Sequence, residues 1–236
     1  MVEVLLKGNI IKIRAAHFNP VVSVLKKIIE VGSGTAGQFL IASGSWVFLM
    51  GLMAKFGSET VAGYTIAIRV LIFSLLPSWG LANAADTLVG QNLGAKQPER
   101  AETSVWRAGR WNMFFLGGVA LVSMFFAPQI VAFFTQNRTV VEQGALALRV
   151  LCGGYVFYGW GMIMSQAING AGDSRTPTIL NFICFWLIEI PLAWFLVKKM
   201  AFGPISISLS VVFAESILSL LCIVWFKKGH WKTVKV

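Results

Sequence analysis

Six long apolar runs dominate the sequence, at about residues 32–54, 60–91, 111–134, 144–169, 176–197 and 204–226. A helix needs about 20 mostly apolar residues to cross the hydrocarbon core of a bilayer, and each run is at least that long. The chain is 56% hydrophobic and 13% charged, whereas a soluble domain carries about 25% charged residues. The pattern therefore predicts an all-α, six-helix transmembrane unit over 32–226, an N-terminal segment 1–31 and a basic tail 227–236.

Basic residues between the runs indicate how the helices cross the membrane. With a cytoplasmic N-terminus, 14 Lys and Arg residues lie on the cytoplasmic side and 5 lie outside. Because Lys and Arg are enriched in cytoplasmic loops, we expect both termini in the cytoplasm. The basic residues behind the formal net charge of +10 lie at the ends of the apolar runs, so membrane orientation accounts for them. We expect no nucleic-acid partner, since no basic stripe interleaves with exposed aromatic residues.

Two flanking stretches predict amphipathic helices on the cytoplasmic membrane surface. In the first, Asn19 and Pro20 suit the N-cap and first position of a helix, and the apolar residues that follow share one face. The second stretch covers about 98–110, where Pro98 again suits the first turn.

Apart from Arg149, which the predicted orientation places on the outer side, the apolar runs contain four charged residues: Arg69, Asp86, Glu189 and Glu215. Charges in lipid are costly, and those that occur there often mark ion or substrate pathways. Glu189 comes two residues before Pro191, whose missing N–H leaves a backbone carbonyl without its partner, so a proton or cation site is one interpretation. The alternative is structural, with Glu189 paired to Arg69, Glu215 bonded to a hydroxyl, and Asp86 near the inner interface.

Amide and aromatic side chains also occur within the runs. We expect them to line a cavity for flat, cationic, partly apolar molecules, or else to pack between helices; they are Asn83, Gln166, Asn169, Trp46, Trp79, Tyr158 and Trp160.

Sequence motifs for enzymes are weak or missing. The GxGxxG pattern at 32–37 has no preceding strand, which a dinucleotide site requires. Gly170–Asp173 matches the GxGD of intramembrane aspartyl proteases, but that chemistry needs two facing aspartates, and the only other Asp is Asp86. HExxH and GxSxG are absent, and no Cys/His spacing suits a metal. We therefore expect no enzyme activity and no organic or metal cofactor.

Two segments are more specific than these motifs. Ala62–Val70 continues to Leu88–Ala95 (LVGQNLGA), and Asn169–Pro177 (NGAGDSRTP) is followed by Phe185–Ala193 (FWLIEIPLA). In order and spacing, these segments resemble helices seven to twelve of the MATE (multidrug and toxic compound extrusion) family of cation-coupled efflux transporters. The resemblance covers about residues 20–232.

The MATE resemblance implies one lobe of a two-lobe antiporter. In that family the substrate occupies a cleft between two six-helix lobes, and H⁺ or Na⁺ drives the switch between states. The chain would then export drugs or organic cations across the bacterial cytoplasmic (inner) membrane together with a second six-helix lobe, surrounded by membrane lipid. The candidate transport residues are Glu189, Glu215, Asp86, Arg69, Asn83, Tyr158, Gln166 and Trp46.

The sequence also departs from one branch of the family, which has acids in the seventh and tenth helices. The matching first run, Thr35 to Met53, contains no acid, and the matching place in the fourth run falls near Tyr158. Two alternatives remain: a lipid-linked oligosaccharide flippase of the same superfamily, for which only Arg69 is available as a cation inside a span once Arg149 is placed on the outer side, or a truncated, non-transporting fragment.

Overall fold

The computed structural model describes residues 21–233, apart from the side chains of residues 27, 30, 31 and 233, and its helices account for nearly all of that range. The α-helices are α1 (Val22–Met53), α2 (Ser58–Gly94), α3 (Pro98–Ala132), α4 (Arg138–Gly153), α5 (Tyr155–Gly170), α6 (Arg175–Phe182), α7 (Ile190–Lys198) and α8 (Ile205–Lys227). A π-helix, Ile183–Glu189, joins α6 to α7. Short 3₁₀ turns follow α1 at Ala54–Phe56 and α8 at His230–Thr233.

Five helical stretches are long and apolar enough to cross a membrane: Gly32–Phe56, Ser58–Gly94, Pro98–Ala132, Arg175–Lys198 and Ile205–Lys227. The pair α4 and α5 meets the same criteria together, with a bend of 53° between them. Counting that pair as one bent span, the described helices match the six predicted runs in order. The predicted all-α membrane fold is confirmed.

The flanking amphipathic segments are not separate elements. Helix α1 begins at Val22 and continues without a break into the first apolar run, while Asn19 and Pro20 lie outside the described residues. Pro98 occupies the first turn of α3, as expected, and α3 then continues directly into the third run. The sequence between each polar segment and its run contains no proline, so one helix axis serves both.

Three spans are irregular in ways that the apolar runs did not predict. The third, α3, is kinked at Phe126, two residues before Pro128. The fourth breaks at Gly154, next to Gly153, and adjacent small residues are a common cause of kinks. The fifth contains the seven-residue π-helix, which ends two residues before Pro191. Because Pro191 has no N–H, an uninterrupted α-helical hydrogen-bond pattern is impossible at this point.

Helices α2, α3, α4 and α5 form a closely packed set, the glycine-packed group. At Gly63, an added Cβ would lie 2.7 Å from the Gly144 nitrogen and 2.7 Å from the Val140 oxygen. At Gly109, it would lie 2.3 Å from the Trp160 ring. Since small residues let membrane helices approach closely, these glycines set the distances of α2 from α4 and of α3 from α5.

The remaining helices, α1, α6, the π-helix, α7 and α8, form the polar group. Helix α1 packs mainly along α6 and the π-helix, with only slight contact to α2, and α8 packs on α5, α4 and α7. Several contacts here are polar. The Trp186 Nε1 donates to the Ile41 oxygen over 3.0 Å, and Thr178 donates to the Gly34 oxygen over 2.9 Å.

The predicted basic tail folds back at its start. Trp231 is buried, its ring stacks on Phe226 at a centroid distance of 4.6 Å, and its Nε1 donates to the Phe226 oxygen over 2.8 Å. Lys232 bonds to Glu102 of α3 over 2.5 Å. Residues 230–233 therefore join the end of α8 to the start of α3.

Candidate functional site

A cavity of about 500 Å³ lies between α1, α2, α5 and α8; we call it the central cavity. Its volume is in the usual range for small-molecule sites, about 300–1,000 Å³. Trp46, Trp79, Tyr158 and Glu215 contribute to its wall, which is otherwise largely aliphatic. The structure therefore brings together three predicted site residues, Trp46, Tyr158 and Glu215, from three different helices.

Glu189 lies close to this cavity but is not part of its wall. It is the last residue of the π-helix, its side chain is 3% exposed, and its Oε2 accepts a 2.7 Å hydrogen bond from the Ser45 hydroxyl of α1. Its carboxyl group interacts electrostatically with that of Glu215 on α8. The charge on either of these two acidic residues therefore affects the other.

The structure does not pair Glu189 with Arg69, as the structural interpretation of the sequence had it. Arg69 is exposed and does not line the central cavity, and its ion pair with Glu189 is not found among the described contacts. Leu187 and Pro191 lie on the exposed side of their span while Glu189 is buried.

Two tyrosines surround this acidic pair. The hydroxyl groups of Tyr64 on α2 and Tyr158 on α5 are buried and have no hydrogen-bond partner in the part of the chain that the structure describes. Tyr64 interacts electrostatically with Glu189, and Tyr158 with Glu189 and Glu215. Buried polar groups normally have partners, so these hydroxyls mark a place where a ligand, an ion or water has something to bind.

The amides form a separate network on the cytoplasmic side of the central cavity. Gln166 donates to Asn83 over 3.2 Å, Asn169 donates to Gln166 over 2.8 Å, and Gln38 donates to Asn169 over 3.1 Å. The predicted residues Asn83 of α2 and Gln166 of α5 are thus hydrogen-bonded to each other, and Asn169 of α5 connects them to Gln38 of α1. These side chains hold three helices together instead of lining the cavity.

Asp86 and Asp173 have structural surroundings. A Cβ added at Gly170 would lie 2.4 Å from the Asp86 Oδ1, so Asp86 lies against the end of α5 and apart from the central cavity. Asp173 accepts 3.0 Å and 2.6 Å hydrogen bonds from the Thr176 backbone N–H and hydroxyl, which caps the start of α6. The two aspartates do not share a site.

Sequence reasoning missed Ser45 and Tyr64. A serine in an apolar run carries no distinctive signal, since small polar residues commonly occur at helix contacts in membranes. Tyr64, Ile68, Leu71 and Leu75 follow helical spacing, and that stripe on α2 indicates a shared face. Within residues 21–233, no group of three or more His, Cys, Asp or Glu side chains could hold a metal.

Sequence comparison relates the chain to multidrug resistance proteins of one family. A family model described as MatE matches residues 35–195. The chain is 24% identical over 229 residues to the probable multidrug resistance protein NorM of Thermotoga maritima, covering 97% of this chain and 49% of that protein. It is 29% identical over 183 residues to the probable NorM of Pseudomonas syringae, covering 74% of this chain and 39% of that protein.

Solved structures agree at the level of the fold. A crystal structure of a MATE mutant superposes with a TM-score of 0.89 at 23% identity, covering 97% of this chain and 51% of that one. A MOP superfamily transporter from Pyrococcus furiosus superposes with a TM-score of 0.86 at 24% identity, covering 93% and 49%. The chain spans about half the length of the curated relatives it matches. Since the family model covers more than half of its residues, this chain belongs to the MatE family.

Proposed function

We propose that this chain forms one six-helix lobe of a secondary transporter that exports drugs or organic cations from the bacterial cytoplasm. The relatives are about twice as long as this chain, which supports a second lobe as its partner, and their name, multidrug resistance protein, supports drugs as substrates. A chain of half that length supplies one side of a cleft between two lobes. The central cavity, at about 500 Å³, is large enough to form this lobe's part of a drug-binding cleft. The proposed location is the cytoplasmic (inner) membrane.

The observation that carries this proposal is the composition of the central cavity. Trp46, Trp79 and Tyr158 offer aromatic faces, which attract flat organic cations, and Glu215 offers a carboxyl group of complementary charge. No Lys or Arg is among the residues that line it. A pyrophosphate-linked lipid needs cationic partners, so this lining disfavours the flippase alternative.

Glu189 and Glu215 are the proposed coupling groups. A buried carboxylate without a cationic partner is costly, and binding a proton or Na⁺ removes that cost. If the ion-bound and ion-free lobes prefer different conformations, ion binding shifts the population between them. Glu189 is well placed for this role, because the π-helix that ends on it and its hydrogen bond to α1 connect two helices of the polar group. π-helical turns are rare and occur frequently at functional sites.

Efflux of a fluorescent organic cation, such as ethidium, tests the proposal in cells that contain both lobes. We expect Glu215→Gln to weaken cation binding and Glu189→Gln to abolish efflux driven by the ion gradient. Glu142→Gln is the matched control, since Glu142 is exposed on α4 and its ion pair among the described residues is with Arg138 of the same helix. If both buried variants export ethidium at the control rate, the two carboxyl groups are structural and the coupling proposal fails.

A further inference from the structure

A second, much smaller cavity lies on the side of Tyr64 that faces the outer ends of the helices in the predicted orientation. This outer cavity has a volume of about 10 Å³, enough for roughly one water molecule. Its polar lining comes from three helices: Thr60 and Tyr64 of α2, Gln143 of α4 and Ser208 of α8. Tyr64 is thus the residue of the acidic site that also reaches toward the outer surface.

Two buried tyrosines lie between the outer and central cavities. Tyr64 lines the outer cavity and is 1% exposed, while Tyr158 lines the central cavity and is 5% exposed. Both belong to one buried cluster, together with residues of α7 and α8. Both hydroxyls lack a hydrogen-bond partner among the described residues, and both interact electrostatically with Glu189.

We propose that Tyr64, Glu189, Tyr158 and Glu215 form a proton path from the outer cavity to the central cavity. The inference rests on the proposed transport function and adds a route and an ion to it. The oxygen of the Tyr64 hydroxyl accepts a proton from hydronium in the outer cavity, while its own proton passes to a water between Tyr64 and Glu189. Since no direct hydrogen bond joins these two side chains, that water passes a proton on to the Glu189 carboxylate. Hydronium becomes water, Glu189 becomes neutral, and Tyr64 ends unchanged. Tyr158 relays between Glu189 and Glu215 in the same way.

The size and charge of the surroundings favour a proton over Na⁺. A cavity with room for about one water is too small for hydrated Na⁺, whereas a proton can pass between hydroxyl oxygens. The titratable side chains that interact with Glu189 are Tyr64 of α2, Tyr158 of α5, Cys184 of its own π-helix and Glu215 of α8, and Ser45 of α1 donates its hydrogen bond. None of these groups is a cation, so protonation is the available means of neutralising Glu189.

The path separates the entry of the proton from the entry of the drug. The substrate enters the central cavity and meets Glu215, while the proton comes from the outer cavity and reaches Glu189 first. The two routes meet at Glu215, so a proton can arrive at Glu189 while the drug is still bound.

Proton flux in proteoliposomes tests this path, with the two-lobe transporter, an internal pH-sensitive dye and ethidium as the drug. We expect Tyr64→Phe, which removes one hydroxyl, to slow drug-coupled proton entry from the outer side by about a hundredfold, the typical contribution of a positioned proton-transfer group. Ethidium binding should be unchanged, since Tyr64 does not line the central cavity. Tyr155→Phe is the matched control, because Tyr155 is equally buried on α5 but lines neither cavity.

Each outcome has a separate meaning. Wild-type flux in Tyr64→Phe, or an equal loss in Tyr155→Phe, would overturn the path. If Glu189→Gln nevertheless abolishes coupling, the proposed function remains. Full transport driven by Na⁺ at equal pH on both sides would overturn the proton as the coupling ion. Wild-type protein that moves no drug in any gradient would overturn both the path and the function.

Discussion

The glycine-packed group and the polar group of this lobe are held together by different means. In α2–α5, helices touch backbone to backbone where Gly63 meets Gly144. Where α1 packs on α6 and the π-helix, contacts run through hydroxyls, an indole and a buried carboxyl group. The central cavity lies where the two groups meet, with walls from α1 and α8 on one side and α2 and α5 on the other. The comparison indicates a scaffold on one side and a polar, adjustable surface on the other.

The largest effect on stability is expected from filling the closest helix contact. Gly63→Leu should destabilise the fold by at least about 3 kcal/mol, because the new side chain collides with the α4 backbone, which cannot move aside as a flexible side chain would. The three buried cysteines, Cys152, Cys184 and Cys222, are free, so the melting temperature follows from their reaction with a thiol-reactive fluorophore during heating.

Gly80→Leu is the control on the same helix. A Cβ at Gly80 meets nothing within 4 Å, and leucine is a better helix former than glycine. The melting temperature of this variant should equal or exceed that of the unsubstituted chain. A similar loss in both variants would mean that α2 and α4 are not held by this close contact.

A smaller loss of stability is expected when the hydrogen bond of Ser45 in the polar group is removed. Ser45→Ala should cost about 1–3 kcal/mol, because it leaves the buried Glu189 carboxyl group without its hydrogen-bond donor. Ser43→Ala is the control: Ser43 is exposed on the same helix and faces the central cavity. The same thiol-reactivity measurement applies. Adding Glu189→Gln should remove most of the difference between the Ser45 and Ser43 variants, and a persistent difference would contradict the role of this bond.

The amide network that joins the two groups should contribute less. Asn169→Ala removes bonds to Gln166 and to Gln38, and interhelical hydrogen bonds in membrane proteins average about 0.6 kcal/mol each. We expect a loss of about 1 kcal/mol, with Gln38→Ala giving part of the same loss. If the losses of stability from Asn169→Ala and Gln38→Ala were strictly additive in the variant that carries both, these amides would not act as one network.

The smallest effect is expected at the cytoplasmic ends. Lys232 and Glu102 are 31% and 35% exposed, so solvent screens their interaction, and Lys232→Met should cost less than about 1 kcal/mol. Raising the salt concentration should reduce even this difference. A loss that is large and insensitive to salt would mean that Lys232 acts mainly through its contact with the Trp231 ring.

The apolar runs were sufficient to predict the class of fold, because membrane-spanning length and hydropathy are local properties of the chain. They did not predict which residues meet. Trp46, Tyr158 and Glu215 come from three helices whose rotation depends on packing, and that rotation is decided by contacts such as Gly161 of α5 with Ser219 of α8. The role of Ser45 depends on a partner 144 residues away. Arg69 and Asp86 were selected for charge alone, and packing places both outside the central cavity.

The π-helix of Ile183–Glu189 also determines how the site responds to a change in the length of the chain. A π-turn holds about one residue more than an α-turn, so deleting one residue between Cys184 and Ile188 would allow ordinary α-helical bonding and leave Glu189 facing Ser45. A deletion elsewhere in the span, where no wide turn absorbs it, would instead rotate every later residue by about 100° and move Glu189 away from Ser45. In genetic terms, the loss of a single codon should be tolerated within this segment and should disrupt the site when it falls elsewhere in the span.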